Sequence, residues 1–166
     1  DLKKLLEKAL LISDSAEIYQ REIMSTSLSV LMGEMQGIES EKKTEISLRI
    51  VKNGKMGAAV STSLEDETII ERALISLENQ SNEAEEFLNL PYESVNCYSQ
   101  NVFDLKTQDL VTLAFDLSNQ FKALDASVAF SVGVDRQYKH VQMMNSTGFQ
   151  GSYKYTNLSE IGRAHV

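Results

Sequence analysis

The stretch Thr44–Ser63, TEISLRIVKNGKMGAAVSTS, decides the fold. Ile46, Leu48 and Ile50 alternate with Glu45, Ser47 and Arg49, the period-two pattern of a strand with one buried face. Asn53-Gly54 comes next, and this dipeptide accepts the positive φ that a two-residue hairpin turn demands at both central positions. The chain returns through Gly57, Ala58, Ala59 and Val60, a strand with little side-chain bulk. So slender a strand admits close approach, either by the helix that follows it or by a ligand laid along it. Packing of the following helix against Gly57, Ala58, Ala59 and Val60 is the reading these residues favour over a ligand.

Upstream, Leu2, Leu5, Leu6, Ala9 and Leu10 recur at three- and four-residue spacing and predict an amphipathic helix. Short strands are expected over Glu17–Ile23 and again where Leu28, Val30 and Met32 alternate with Ser27, Ser29 and Leu31. Downstream, a helix is expected from about Leu64, with Ser63 as its cap and Asp66 and Glu67 in a first turn that favours negative charge. Ile70, Ala73, Leu74 and Leu77 form its buried stripe. Residues 79–106 read as a long connector, with the only proline, Pro91, and a solvated acidic turn at Glu83, Glu85 and Glu86. Thr107 opens a third helix, with Asp109 in its first turn and Leu110, Leu113, Ala114, Leu117, Phe121 and Leu124 facing inward. Val128, Phe130, Val132 and Val134 then alternate as a strand, and Tyr138–Ser146 reads as its partner. This order predicts an α+β fold, an antiparallel sheet with helices packed on one face, as a single domain over 1–166.

With 166 residues, the chain is long enough to bury a core without staples. A net charge of -8 with scattered lysines argues against a nucleic-acid partner, which calls for a basic face. Cys97 is the only cysteine, so no internal disulfide forms; a lone thiol fits a reducing compartment. No apolar run approaches the ~20 residues that span a bilayer, and the first residues lack a signal-peptide pattern. No membrane association is expected, and the expected compartment is the cytoplasm. The chain opens on Asp1 rather than Met, so the native start is expected upstream. Residues 160–166, EIGRAHV, depart from a globular pattern and read as a truncated element or a cloning remnant.

Residues 143–154, MMNSTGFQGSYK, admit three readings. Asn145-Ser146-Thr147 is a glycosylation acceptor pattern, but that reading falls with the missing secretion signal. Gly148-x-x-Gly151 is no dinucleotide loop, which needs a third glycine and a helix directly after it. Here Ser152–Tyr155 looks like a strand. A turn remains, in which Asn145 tolerates positive φ and Gly148 supplies it. No metal-ligand spacing is present, and neither His140 nor His165 sits in a nucleophile motif, so no catalytic or metal-binding residue is assigned.

These blocks carry a family resemblance. LKKLLEKAL, AEIYQREIMSTSLSVLMGEMQGIES, TEISLRIVKNGKMGAAVSTSLEDETIIERAL and VQMMNSTGFQGSYKYT, in order, resemble the N-terminal domain of the TldD/PmbA proteins. That family is known as modulators of DNA gyrase and as metallopeptidases. The resemblance runs from about Leu2 to Thr156, and AAVSTSLEDE and NSTGFQGSYK lean toward the PmbA-like branch. It implies that this chain is the N-terminal piece of a longer two-domain protein. TldD-type members carry a His-Glu-x-x-x-His zinc motif in the C-terminal domain, beyond Val166, and PmbA-like members generally lack it and pair with a TldD-like subunit. No cofactor is thus expected here, and zinc belongs to the missing domain or the partner.

The implied role is in peptide or protein processing and degradation, by binding rather than by catalysis. The expected ligands are a peptide or unfolded protein and a TldD/PmbA-type subunit, in a homo- or heterodimer. Gly57–Val60 with Asn145, Ser146, Gly148 and Gly151 are the expected contacts, with packing against the missing half as the competing reading. The alternative function is a free-standing protein-interaction module without chemistry.

Overall fold

The alternating stripe at Thr44–Ile50 becomes part of a far longer strand than its pattern announces. The structure, a computed structural model, describes residues 1–78, 86–125 and 127–165. In chain order the elements are α1 (Leu2–Leu10), β1 (Ser15–Leu31), β2 (Glu34–Lys52), β3 (Lys55–Ser61), α2 (Ile69–Leu77), α3 (Gln100–Asp104), α4 (Thr107–Leu124), β4 (Ala129–Asn145) and β5 (Gln150–His165). The strands form one antiparallel sheet in the order β3-β2-β1-β4-β5. The fold is α+β, as the sequence predicts.

The chain forms two compact units. The first comprises Asp1–Glu22, Lys43–Val95 and His140–Tyr153. Its core joins Leu5, Leu6 and Ala9 of α1, Ile18 of β1, the Ile46-Leu48-Ile50 stripe of β2 and Ile69 and Ala73 of α2. Ile18, Ile46, Leu48, Ile50 and Ile69 are fully buried, each worth roughly 1.5–3 kcal/mol over exposure. The Asp1 carboxylate accepts the Lys3 N–H at 3.0 Å and caps α1. The second unit comprises Ile23–Lys42, Asn96–Lys139 and Lys154–Val166. Its core sets Leu110 and Ala114 of α4 against Leu28, Val30, Val132 and Val134. The Asp109 carboxylate accepts the Lys106 N–H at 2.7 Å and steadies the start of α4.

The β2–β3 hairpin forms at Asn53-Gly54, with φ of 51° and 74°, and holds the register from Lys52↔Lys55 to Ile46↔Ser61. A second tight turn, Met32-Gly33 with φ of 52° and 83°, has no turn-forming dipeptide to announce it. Met32 is held from outside: its N–H donates to Phe130 O at 3.0 Å, and its sulfur accepts the Phe130 N–H at 3.3 Å.

Four expectations need correction. The segments read as separate short strands in 17–32 are one strand, β1, because the polar break at Thr26-Ser27 is satisfied by side chains. Thr26 Oγ1 meets Ser40 Oγ at 3.2 Å, and Ser27 Oγ donates to Asp135. Val128–Val134 and Tyr138–Ser146 are not hairpin partners but one strand, β4, whose apparent turn residues Asp135 and Arg136 bond to Ser27 and to Leu105 O. The second helix begins at Ile69 rather than Leu64, because residues 63–68 form a turn organised by Asp66. Leu124, expected inside, is 83% exposed at the end of α4.

Of the expected connector, residues 79–85 lie outside the described residues, as does Val166 of the closing segment. Residues 86–99 carry no helix, α3 follows, and β5 runs on through Glu160 to His165.

Candidate functional site

On β3 the side chains divide by parity. Gly57 and Ala59 turn inward and are buried, whereas Ala58 and Val60 are exposed. A Cβ added at Gly57 would lie 2.2 Å from the Ala73 carbonyl oxygen and 2.9 Å from Leu77 Cγ, so the missing side chain is the seat of α2. β3 is also an edge strand of the sheet, and α2 occupies part of its rim. Ser76 Oγ accepts the Ala58 N–H at 2.7 Å, and Arg72 Nη1 donates to Val60 O at 2.7 Å.

Beside this rim lies a groove of ≈ 630 Å³, lined by Tyr19, Glu45, Ser47, Val60, Thr62 and Arg72, among others. Its charges are paired. Arg21 bonds Glu45, and Lys43 Nζ lies 2.6 Å from the same carboxylate. The Lys43 and Arg21 hydrogen bonds hold the Glu45 carboxyl below its ordinary range. At the far wall Asp66 accepts from the Thr68 hydroxyl at 2.7 Å, the Ser61 hydroxyl at 2.7 Å and the Thr68 N–H at 3.0 Å, with Arg72 alongside. Those bonds, Thr68 first and Ser61 second, keep its carboxyl well below the usual carboxylate range. The wall is thus ionised and rigid at neutral pH. With Val60 and Tyr19 it presents both apolar and polar surface.

A second recess of ≈ 260 Å³ lies in the same unit, lined by Glu17, Arg49, Met56, Met143, Phe149 and the segment from Glu86 to Leu90. Glu17 is only 7% exposed and is held by Arg49, whose Nε donates to it at 3.0 Å. The Arg49 guanidinium in turn lies over the Phe87 ring, 5.4 Å from its centroid.

The Asn145–Gly151 segment holds this region together. Asn145 is buried, and its Oδ1 accepts from Thr147 N at 3.1 Å, Thr147 Oγ1 at 2.8 Å and Phe149 N at 3.1 Å. Its Nδ2 donates to Leu88 O at 2.9 Å. Ser146 exchanges bonds with Ala16: its N–H donates to Ala16 O, and its Oγ accepts the Ala16 N–H at 3.1 Å. Gly148 takes the expected positive φ of 95°, whereas Asn145 does not, being fixed by its side chain instead. Gly151 lies under Phe149 and Tyr92, whose rings are 5.6 Å apart. A strand follows Gly151, as expected.

Residues 16–79 match the family model for PmbA/TldA metallopeptidase domain 1. Over those residues the chain is similar to the first domain of the PmbA/TldA metallopeptidases. Several solved proteins share its fold. One, from Thermotoga maritima and described as a modulator of a DNA gyrase, superposes at a TM-score of 0.82 with 16% identity, over 98% of this chain and 42% of that one. TldE from Thermococcus kodakarensis gives 0.74 and 19%, over 98% and 39%. A Bacteroides thetaiotaomicron protein, also described as a modulator of DNA gyrase, gives 0.80 and 14%, over 99% and 41%. This chain therefore spans about two fifths of the length of the proteins it matches. No curated protein matches it.

The TldD/PmbA match takes in the Asn53-Gly54 hairpin, β3 and α2, the elements that build the groove, and ends before Asn145. Sequence reasoning missed Glu17, Arg49 and Phe87. Phe87-Leu88 is an apolar pair in an otherwise polar, acidic stretch, a signal that an anchor lies there. The Glu17–Arg49 pair has no signal in the linear sequence, since only the placing of β1 beside β2 brings the two together. Among the described residues, no group of three His, Cys, Asp or Glu side chains is placed to hold a metal ion.

Proposed function

We propose that this domain serves a TldD/PmbA-type peptidase in peptide or protein processing by holding an extended substrate or the partner subunit, while bond cleavage belongs elsewhere. The groove beside the edge strand β3 carries this reading. Its paired charges and its exposed Val60 suit an extended chain. Such a chain gains affinity from backbone hydrogen bonds, with little demand on sequence. To add as a strand it would take over Ala58 N and Val60 O from Ser76 and Arg72. Zinc, in this proposal, sits in a C-terminal domain or in a TldD-like partner, and the complex works in the cytoplasm. No helix among the described residues is long and apolar enough to cross a membrane.

The test is capture of an unfolded protein by the full-length protein with its partner subunit. Val60→Lys, which puts a charge into the groove, is expected to weaken capture at least tenfold, and Ser76→Ala to strengthen it by freeing the rim. Capture indifferent to both substitutions overturns the proposal.

A further inference from the structure

We propose that the recess around the Glu17–Arg49 pair is a binding site for an aromatic side chain on an extended peptide, and that the chain's own Glu86–Leu90 segment is its resident occupant. The segment is attached as a peptide ligand would be. Phe87 is its single buried anchor at 7% exposure, and Leu88, Leu90, Tyr92 and Val95 around it are all exposed. No helix or strand includes it.

The recess reads this segment through two kinds of contact. Arg49 lies over the ring face while Glu17 fixes the guanidinium, so the cation is oriented before a ring arrives. Met56 and Met143 line the walls, and flexible thioethers accept rings of more than one shape. Asn145 reads only a backbone carbonyl, that of Leu88, a contact any extended residue supplies. Among the described residues the segment is further held by a side-chain bond, Asn89 Nδ2 to Thr147 O at 3.2 Å, and past Leu90 by the Tyr92 ring against Phe149. A segment with one buried side chain and no ladder of backbone bonds opens at lower cost than the sheet beside it. An external peptide must still outcompete an occupant that is tethered and so present at high effective concentration. This extends the peptide-holding reading from the groove to a neighbouring recess.

The experiment uses a labelled peptide of the segment's own sequence, Glu-Phe-Leu-Asn-Leu, and a control with alanine for phenylalanine. Binding is followed by fluorescence anisotropy and by amide chemical shifts. Phe87→Ala is expected to bind the phenylalanine peptide at least tenfold more tightly than the unsubstituted chain does, and at least tenfold more tightly than it binds the control. Shifts should centre on Glu17, Arg49 and Met143, and Arg49→Met added to Phe87→Ala should abolish binding. If Phe87→Ala fails to fold, Asn89→Ala, which loses only the bond to Thr147 O, should still raise affinity for the phenylalanine peptide. Equal affinity for the two peptides, or binding without those shifts, overturns the inference. Failure of both peptides alongside Val60-dependent capture of unfolded protein overturns the recess alone and leaves the groove standing.

Discussion

The molecule builds its two glycine-bearing hairpins in the first unit by different means. The β2–β3 turn rests on backbone conformation, with Asn53 and Gly54 both in the left-handed region and one outside bond, from Asn53 N–H to Asp14 at 2.8 Å. The β4–β5 turn rests on one side chain, Asn145, whose amide serves three donors in the turn and one carbonyl fifty-seven residues away in the chain. The first turn is a local solution and fixes a register. The second is a tertiary solution and fixes a neighbouring segment as well.

Substitutions can break that comparison. The largest effect is expected at Gly57→Val on the returning strand of the local hairpin. Its new side chain meets the Ala73 carbonyl, so overpacking of about 3 kcal/mol should appear in chemical denaturation. Asn145→Ala, which removes four hydrogen bonds around the second turn, should cost about 2 kcal/mol and speed amide exchange in residues 86–92. Asn145→Asp sharpens the case, because the carboxylate keeps the turn's donors but faces the Leu88 carbonyl without a proton. Faster exchange should then be confined to residues 86–92. Gly54→Ala, which places a side chain at φ 74° in open space, should cost only about 1 kcal/mol.

The smallest effect is expected from acid. Asp66 and Glu45 have depressed folded-state pKa values, so their stabilisation is present above the unfolded value near 4 and fades as pH falls through the folded one. Thermal midpoints should decline below about pH 4, and Asp66→Asn should flatten that decline.

The same contrast explains what the sequence made legible. Asn53-Gly54, the Ile46-Leu48-Ile50 stripe and the helical spacing of α1 are local patterns, and each appears where its residues predict. Two misreadings arose where polar residues have distant partners. Thr26, Ser27, Asp135 and Arg136 look like breaks in strands, yet their bonding partners sit on neighbouring strands and let β1 and β4 run through. Met32-Gly33 turned without a signal because β4 enforces it. At the candidate site, the slenderness of Gly57–Val60 was visible. That α2 takes up the space at Gly57 and leaves Val60 to the groove depends on Ala73, Ser76 and Leu77, which arrive only in the next element.

The bonds from α2 to the outer strand have a further consequence, for behaviour under stress. A bare outer strand is a template on which other chains polymerise. Ser76 and Arg72 plug two of its docking points, so α2 acts as a stopper against self-association. Warming that frays α2 before the sheet would uncork this rim while the rest of the fold stands. Aggregates growing from native-like chains, rather than from unfolded ones, are the outcome to watch for during storage and crystallisation.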